Sequence, residues 1–532
     1  MRRPARYALL VFGLLAAGCG NDVVPPPPPC TVDCGGSGGG GPFVATEVFL
    51  RPLSIQRPIA GSLPTPEIAQ YNLSAFYRGG AEAAQFHWTV PPEIGTVEPK
   101  APTLTRQSAT VMLKLPEAGN VPLGTFDITA AGSSGTESGT VHGRFAVVEL
   151  SWMKHVRNGW IEPEPEDPVQ SPTFMLTTTG ADSLLMVEAP SANATRIRRI
   201  PAFSPLAATI EPVPAGVVLF PDDPTPNNFG TARQFAPDVS PAALGRREVL
   251  FATTMDSQYD ERCPNGTPCD FDNAISPVPT NLWVVRQPDG INEFRPRPLT
   301  FDSSFVEFTQ IRWYAVDYSQ PRWDPAATAA DADARISFIS KLNTGAPNLW
   351  TAVLRDRNGD ARSDTLLNYV RLTASGNIGG YDWHPDGTRL CVATGGVLSW
   401  INAANGMVTP IALPDSDLTR PANPAVFWRP GEHTLVAFEA QSENLANLYL
   451  WDEQENVLVR LLPFSVPVTH RMFPRWHRTK KWLVYVSDYT VMPWGSTTPG
   501  AGAVPDLLNP LIPTFDGMAR TRFPSPWVLR LE

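Results

Sequence analysis

The chain has 532 residues, length enough for two or three domains with cores of their own. Its 57 prolines and 40 glycines, with aromatics at 10% and charged residues at only 18%, describe many short strands and turns rather than helices. A net charge of −10 argues against nucleic acid as a partner and against adsorption to anionic lipid head groups.

The N-terminus carries Arg2, Arg3 and Arg6, and an apolar run from Ala8 to Ala17 follows. A basic start followed by about ten apolar residues is a secretory signal, since a spanning helix needs roughly 20. The run ends in Leu15-Ala16-Ala17-Gly18-Cys19, which resembles a bacterial lipobox, with Ala16 where leucine is usual. The resemblance implies a signal peptide over residues 1–18 and lipidation of Cys19, so that the lipid is the attachment to the membrane. An ordinary signal peptide cut after Ala17 or Gly18 is the alternative. Gly20 replaces the aspartate associated with inner-membrane retention, which points to the outer membrane. Residues 19–42 hold Pro25 to Pro29 and then a glycine run, a stiff and then flexible linker that stands the folded body away from the bilayer.

The six cysteines divide by position in an oxidising compartment. Cys19 is assigned to lipid. Cys30 and Cys34 bracket a short loop, Cys263 and Cys269 bracket Pro-Asn-Gly-Thr-Pro, and each pair is a candidate local disulfide. Cys391 stands alone in an apolar run, as a buried thiol does. Metal binding by the pairs is the rival reading, disfavoured because no histidine lies near either pair.

Residues 43–150 alternate short apolar runs with turns: Val44 to Leu50, Tyr71 to Tyr77, Gln85 to Val90, Ile94 to Val97, Ser108 to Leu115, Thr125 to Ala130 and Thr140 to Val148. These runs, with Trp88 in the third, form the pattern of an immunoglobulin-like sandwich whose tryptophan fills the space between sheets. No cysteine pair joins the sheets, so the segment resembles bacterial Ig-like modules rather than an antibody domain.

After Leu150 the chain repeats. Tyr381-Asp382-Trp383-His384-Pro385-Asp386-Gly387 leads to a strand from Leu390, Val426-Phe427-Trp428-Arg429-Pro430-Gly431 to one from Leu435, and Phe473-Pro474-Arg475-Trp476 to one from Trp482. Two copies with longer turns start near Phe235 and Trp323 and resume at Val249 and Ile336. Second strand pairs follow at Asn281-Leu282-Trp283, Asn348-Leu349-Trp350 and Asn447-Leu448-Tyr449. These units resemble the WD-like repeats of TolB-type propellers, and Tyr381 to Ala393 matches best, with His384 where the family has serine. A degenerate unit at Phe174-Met175-Leu176, Leu184 to Val187 and Arg198-Arg199-Ile200 makes six blades over residues 151–532. The resemblance implies an all-β body in which the repeated rings are core and the turns emerge on one rim.

Chemistry is sparsely signalled. Asp356, Asn358, Asp360 and Asp364 place oxygens as a calcium loop does, and the stretch is similar to Asp-x-Asn-x-Asp-Gly loops. Yet the sixth position is Ala361 instead of glycine, which favours a hairpin turn tipped by Asn358-Gly359. The acidic stretches Glu162 to Asp167 and Asp222-Asp223 read as solvated loops, and no His-Glu-x-x-His or Gly-x-Ser-x-Gly motif occurs. With a final strand at Pro526 to Leu531, no room is left for a hydrolase domain after the propeller. His384 and His477 are expected on one rim at equivalent turn positions.

The expectation is a lipid-anchored envelope protein, not an enzyme, that binds or scaffolds an envelope protein or peptide through propeller loops and needs no cofactor, calcium at the 356–364 loop excepted. A propeller enzyme acting on envelope glycan is the alternative, and a structural spacer a third. Polar groups converging in a central pocket would favour an enzyme, and a broad rim with exposed aromatics or arginines a binding module.

Overall fold

The structure, a computed structural model, describes residues 54–57, 70–76, 84–98, 103–105, 108–114, 122–134, 137–152, 172–176, 182–191, 194–200, 217–218, 234–253, 280–286, 297–300, 318–329, 333–342, 346–356, 363, 365–374, 376–414, 418–442, 445–461, 471–487 and 525–532. Among them every regular element is a strand apart from one 3-10 turn, Ala242–Leu244. The fold is all-β.

The N-terminal part consists of β1 (Ser54–Arg57), β2 (Gln70–Phe76), β3 (Ala84–Thr89), β4 (Thr96–Glu98), β5 (Thr103–Thr105), β6 (Ser108–Lys114), β7 (Gly124–Ser134) and β8 (Glu137–Trp152). They form two sheets, one in the order β1-β8-β7-β3-β5 and one in the order β2-β6-β4. Alternation decides which face is covered: Ile128, Ala130 and Gly132 are buried along β7 while Thr125 and Asp127 are exposed. Phe86 is the enclosed ring of this part, 1% exposed, and it needs Gly132 opposite it, where a Cβ would lie 3.0 Å from the ring. Trp88, expected to fill that place, is only half-buried, because Phe86 two residues earlier on the same face takes the interior position. The segment Val44 to Leu50 lies outside the described residues.

The repeats form a series of four-stranded antiparallel sheets. They are β9 (Thr173–Leu176), β10 (Asp182–Ser191), β11 (Ala194–Ile200) and β12 (Val217–Val218); β13 (Gln234–Val239), β14 (Glu248–Thr253), β15 (Asn281–Arg286) and β16 (Arg297–Pro298); then β17 (Tyr318–Trp323), β18 (Asp333–Ser340), β19 (Asn348–Arg355) and β20 (Thr365–Arg371). There follow β21 (Ile378–Trp383), β22 (Arg389–Thr394), β23 (Val397–Asn402) and β24 (Val408–Pro410), and β25 (Thr419–Phe427), β26 (Leu435–Ser442), β27 (Leu445–Asp452) and β28 (Val457–Arg460). Finally β29 (Arg471–Trp476), β30 (Trp482–Ser487) and β31 (Ser525–Arg530) pair in order, and the far end of β8 supplies their fourth strand through Trp152↔Trp527 to Glu149↔Arg530.

The sheets stand around one axis as a β-propeller. The first strands β9, β13, β17, β21, β25 and β29 each touch the next, and β29 touches β9. Each neighbouring pair of sheets encloses its own apolar cluster. Trp283 packs with Leu185, Trp323 with Leu250, Trp383 with Ile339, Phe438 with Cys391, Phe427 with Trp476, and Val528 with Phe174. Stacking thus buries both faces of every sheet, which an isolated four-stranded sheet cannot do.

The repeated rings hold one structural position with two substitutions. The last residue of each first strand pairs with the start of the second: Trp323↔Ile336, Trp383↔Leu390, Phe427↔Leu435, Trp476↔Leu483 and Val239↔Val249. Val239, not Phe235, therefore fills the place in β13, and Phe427, not Trp428, fills it in β25. Trp428 begins the turn and lies half-buried against His384 at 5.3 Å. The turns meet in sequence on one rim: Ala329 donates to the carbonyl of Ala243 at 2.7 Å, Arg335 to that of Gly387, His384 bonds Thr434 at 3.2 Å, and Lys481 reaches Glu432 at 3.0 Å.

Candidate functional site at the propeller axis

Each first strand from β13 onward slips register, β25 twice and the others once, and a residue with positive φ sits at or beside each slip: Ala236 (46°), Gln320 (47°), Gly380 (120°), Arg420 (52°) and Asn423 (44°) in β25, and Phe473 (55°). Pro237, Pro321, Pro424 and Pro474 follow four of them. A proline offers no N–H to a ladder, so the strand bulges there and re-aims the residues behind it. The residue just before each ring position is Asp238 in β13, Arg322 in β17, Asp382 in β21, Val426 in β25 and Arg475 in β29; Val426 packs in the apolar cluster between the sheets of β22 and β26, while the four charged residues act on one another.

These charges tie the sheets together. Asp238 Oδ2 accepts from the backbone N–H of Trp323 at 2.7 Å, and Asp382 Oδ2 accepts from that of Val426 at 3.0 Å. Asp382 Oδ1 accepts from Arg475 Nη1 at 2.7 Å, and Arg478 donates to the carbonyl of Val239. Burial pushes the Asp382 carboxyl up to about 7 against the pull of Arg322. It does so although 16% of that side chain's surface stays accessible, because protein encloses the group on the other sides. Burial raises Asp238 as well, opposed by Arg322 and Arg478. The Tyr381 hydroxyl, raised by burial, donates to the Gln320 carbonyl at 2.6 Å.

Between β17, β21, β25 and β29 lies a cavity of about 20 Å³, lined by Gln320, Arg322, Tyr381, Asn423, Pro424, Phe473, Pro474 and Arg475. That is room for one or two water-sized groups. Its polar side chains are two guanidiniums, two amides and a phenol, all able to donate, and no carboxylate is among the described residues that line it. Arg322 Nε and Arg475 Nη2 are buried with no acceptor among the described residues, on side chains of residues only 6% and 8% exposed. On one side Asn423 also donates to Glu439, which burial pushes up to about 7.

The site residues picked out in the sequence are elsewhere. Cys19, Cys30, Cys34, Cys263 and Cys269 lie outside the described residues, as do Asn358, Asp360 and Asp364 of the calcium-like stretch and the acidic stretches at 162–167 and 222–223. Asp356 is described, half-buried just after β19. Near it, Glu248 accepts from both the N–H and the hydroxyl of Ser363 at 2.6 Å, fixing that end of the 356–364 stretch to β14. Cys391 is a free, fully buried thiol. His384 and His477 occupy equivalent turn positions on the rim. Each ring Nδ1 accepts the N–H two residues on, at 3.3 Å from Asp386 and 3.1 Å from Thr479, the bond a serine or aspartate makes in such turns. His433, Asp452 and Glu455 cluster as metal ligands do, but the Arg144 guanidinium from β8 bonds both carboxylates and stands where a cation would. The axial residues were missed as a site, although a signal was present: Asp, Arg, Asp and Arg precede the ring positions at 238, 322, 382 and 475.

No protein-family model matches the chain, and no curated protein matches it. Among solved structures it is similar to a TolB-type protein from Agrobacterium tumefaciens, at 12% identity over 51% of this chain and 73% of that one, with a TM-score of 0.31. It is also similar to the Cps50 (Swd1) β-propeller domain from Myceliophteria thermophila, at 11% identity over 63% and 95% of the two chains and a TM-score of 0.32. A protein of unknown function from Dyadobacter fermentans matches at 10% identity over 70% and 97%, with a TM-score of 0.40.

Proposed function

We propose that the protein is a lipid-anchored binding or scaffolding protein of the bacterial cell envelope, in which an Ig-like sandwich carries a six-bladed, TolB-like propeller that engages a protein or peptide partner at the axial mouth. The observation that carries the reading is the cavity at the axis, whose walls offer amide and guanidinium donors beside Pro424, Phe473 and Pro474 and no carboxylate. Polar convergence at a centre is also what an enzyme would have. Glycan hydrolysis, however, needs two carboxylates facing the scissile bond, and Asp382 spends both oxygens on Arg475 and Val426. Donors framed by apolar walls suit recognition instead.

Attachment through Cys19 and an outer-membrane location belong to the same proposal. It is tested by capture from detergent-solubilised envelopes, comparing the intact protein with a Gln320→Ala/Phe473→Ala double variant. A partner retained by the first and lost by the second supports the reading; capture that ignores the double substitution overturns the axial mouth as the binding surface. A Cys19→Ser variant should leave the membrane fraction, and tight membrane retention of that variant after signal removal would refute the anchor.

A further inference from the structure

We infer that the N-terminal sheets are the clasp of the propeller: the ring closes only with them in place, and the two parts open as one cooperative unit. The inference does not depend on what the axial mouth binds. It rests on how β8 is paired. Along one edge β8 meets β7 from Glu137 to Val147 and then β31 from Glu149 to Trp152, so one strand passes from the N-terminal sheet into the last sheet of the propeller. The two partners follow each other closely. A Cβ on Gly124, the first residue of β7, would lie 3.9 Å from the carbonyl of Leu531, one residue past β31.

A hinge between domains is a stretch whose φ and ψ can turn without breaking contacts. The crossing offers none. Val147 pairs with Gly124 on one edge and with Ile55 on the other, and Glu149 pairs with Arg530 and Arg57. β1 thus lies along the opposite edge as a splint, spanning the point where β7 gives way to β31. Turning the chain at Val148 would break ladders on both sides. Packing adds to this. Ala146 and Val148 are fully buried in the apolar cluster of Phe427, Trp476, Leu483 and Leu529, between the last two sheets of the propeller. Arg144 supplies a third tie, donating to Asp127 of β7 and at 2.9 Å to Asp452 at the end of β27. Without the N-terminal sheets the cluster would lose two buried residues and β31 would present a bare edge. Without β31 the same cluster would be opened from within. Phe473 and Arg475, which line the axial cavity, stand on β29 of the joined sheet, so a disturbance of the N-terminal sheets reaches the axis.

The test is native-state hydrogen exchange of the full-length protein, read by mass spectrometry in peptides from β3, β7, β29 and β30 as urea rises below the unfolding midpoint. The slowest amides of all four strands should converge on one isotherm, with one opening free energy and one urea slope. Phe86→Leu, at the enclosed ring of the N-terminal part, should lower protection by the same factor, roughly tenfold, in β29 and β30 as in β3 and β7. Leu529→Ala, in β31, should in turn lower protection in β3 and β7 as far as in β29 and β30. Separate wild-type isotherms for the two pairs of strands would overturn the inference, as would an effect of either variant confined to its own part. The wild-type isotherms decide the matter even where a variant fails to fold.

Discussion

Glu439 allows the electrostatics of the axial region to be tested in isolation. It lies on β26, 8% exposed, where its carboxylate accepts from the amide of Asn423, and burial lifts its pKa from 4.5 to about 7. The direction fixes the sign. Below pH 4.5 the group is protonated in folded and unfolded chains alike. Between about 4.5 and 7 the unfolded chain gives up its proton first, so stability falls as pH rises, and above 7 the loss is complete and constant. Holding the ionised form folded at pH 8 costs at most roughly 3 kcal/mol. Glu439→Gln keeps an oxygen for Asn423 and removes the charge. Its urea midpoint, followed by tryptophan fluorescence, should match wild type near pH 5 and exceed it at pH 8, by about 1 to 3 kcal/mol. Asp382 titrates in the same window in both proteins and cancels in the comparison. A Gln variant that gains nothing between pH 5 and pH 8, or loses stability at pH 8, would refute the reasoning.

Three further outcomes follow from the geometry. Trp383→Ala removes a ring 2% exposed and should lower unfolding stability by about 3 to 5 kcal/mol, whereas Trp428→Ala, half-buried on the rim, should cost about 1 to 2 kcal/mol; equal losses in urea denaturation would contradict the placement of the rings. Gly380→Ala should cost about 2 kcal/mol or more, because φ is 120° and a Cβ would lie 2.8 Å from the Asn423 Cα, and a neutral midpoint would show that the strands do not approach so closely. Arg144→Ala should cost about 2 kcal/mol by leaving Asp452, whose side chain is 8% exposed, without its guanidinium; adding Asp452→Asn should recover part of that loss, and no recovery would argue against the charge as the cause.

How much was legible in the sequence follows from where the signals sit. Apolar runs and their turns show through, since strand pairing at Trp383↔Leu390 and Trp476↔Leu483 needs a short turn of recognisable composition. The ring position was misread at Phe235 and Trp428 because an aromatic identity was matched instead of a register, and register depends on bulges that only the paired strands reveal. The axial site stayed hidden for a related reason. Asp238, Arg322, Asp382 and Arg475 come from four different sheets, and neither Asp238 nor Arg475 has its partner nearby in sequence. Ring closure alone brings them together, so local spacing could not report it.

The pairing of β31 with β8 sets an order of events for the molecule. β8 comes from the first third of the chain, and β31 from near residue 530 slots between it and β30. Until β31 has been made, β30 and the far end of β8 each present an unpaired edge, and each such edge is a template for another chain. Contacts this distant in sequence also form slowly. A chain halted before β31 would therefore remain an open stack of sheets prone to self-association, and a lesion in that one short strand would be felt around the whole ring.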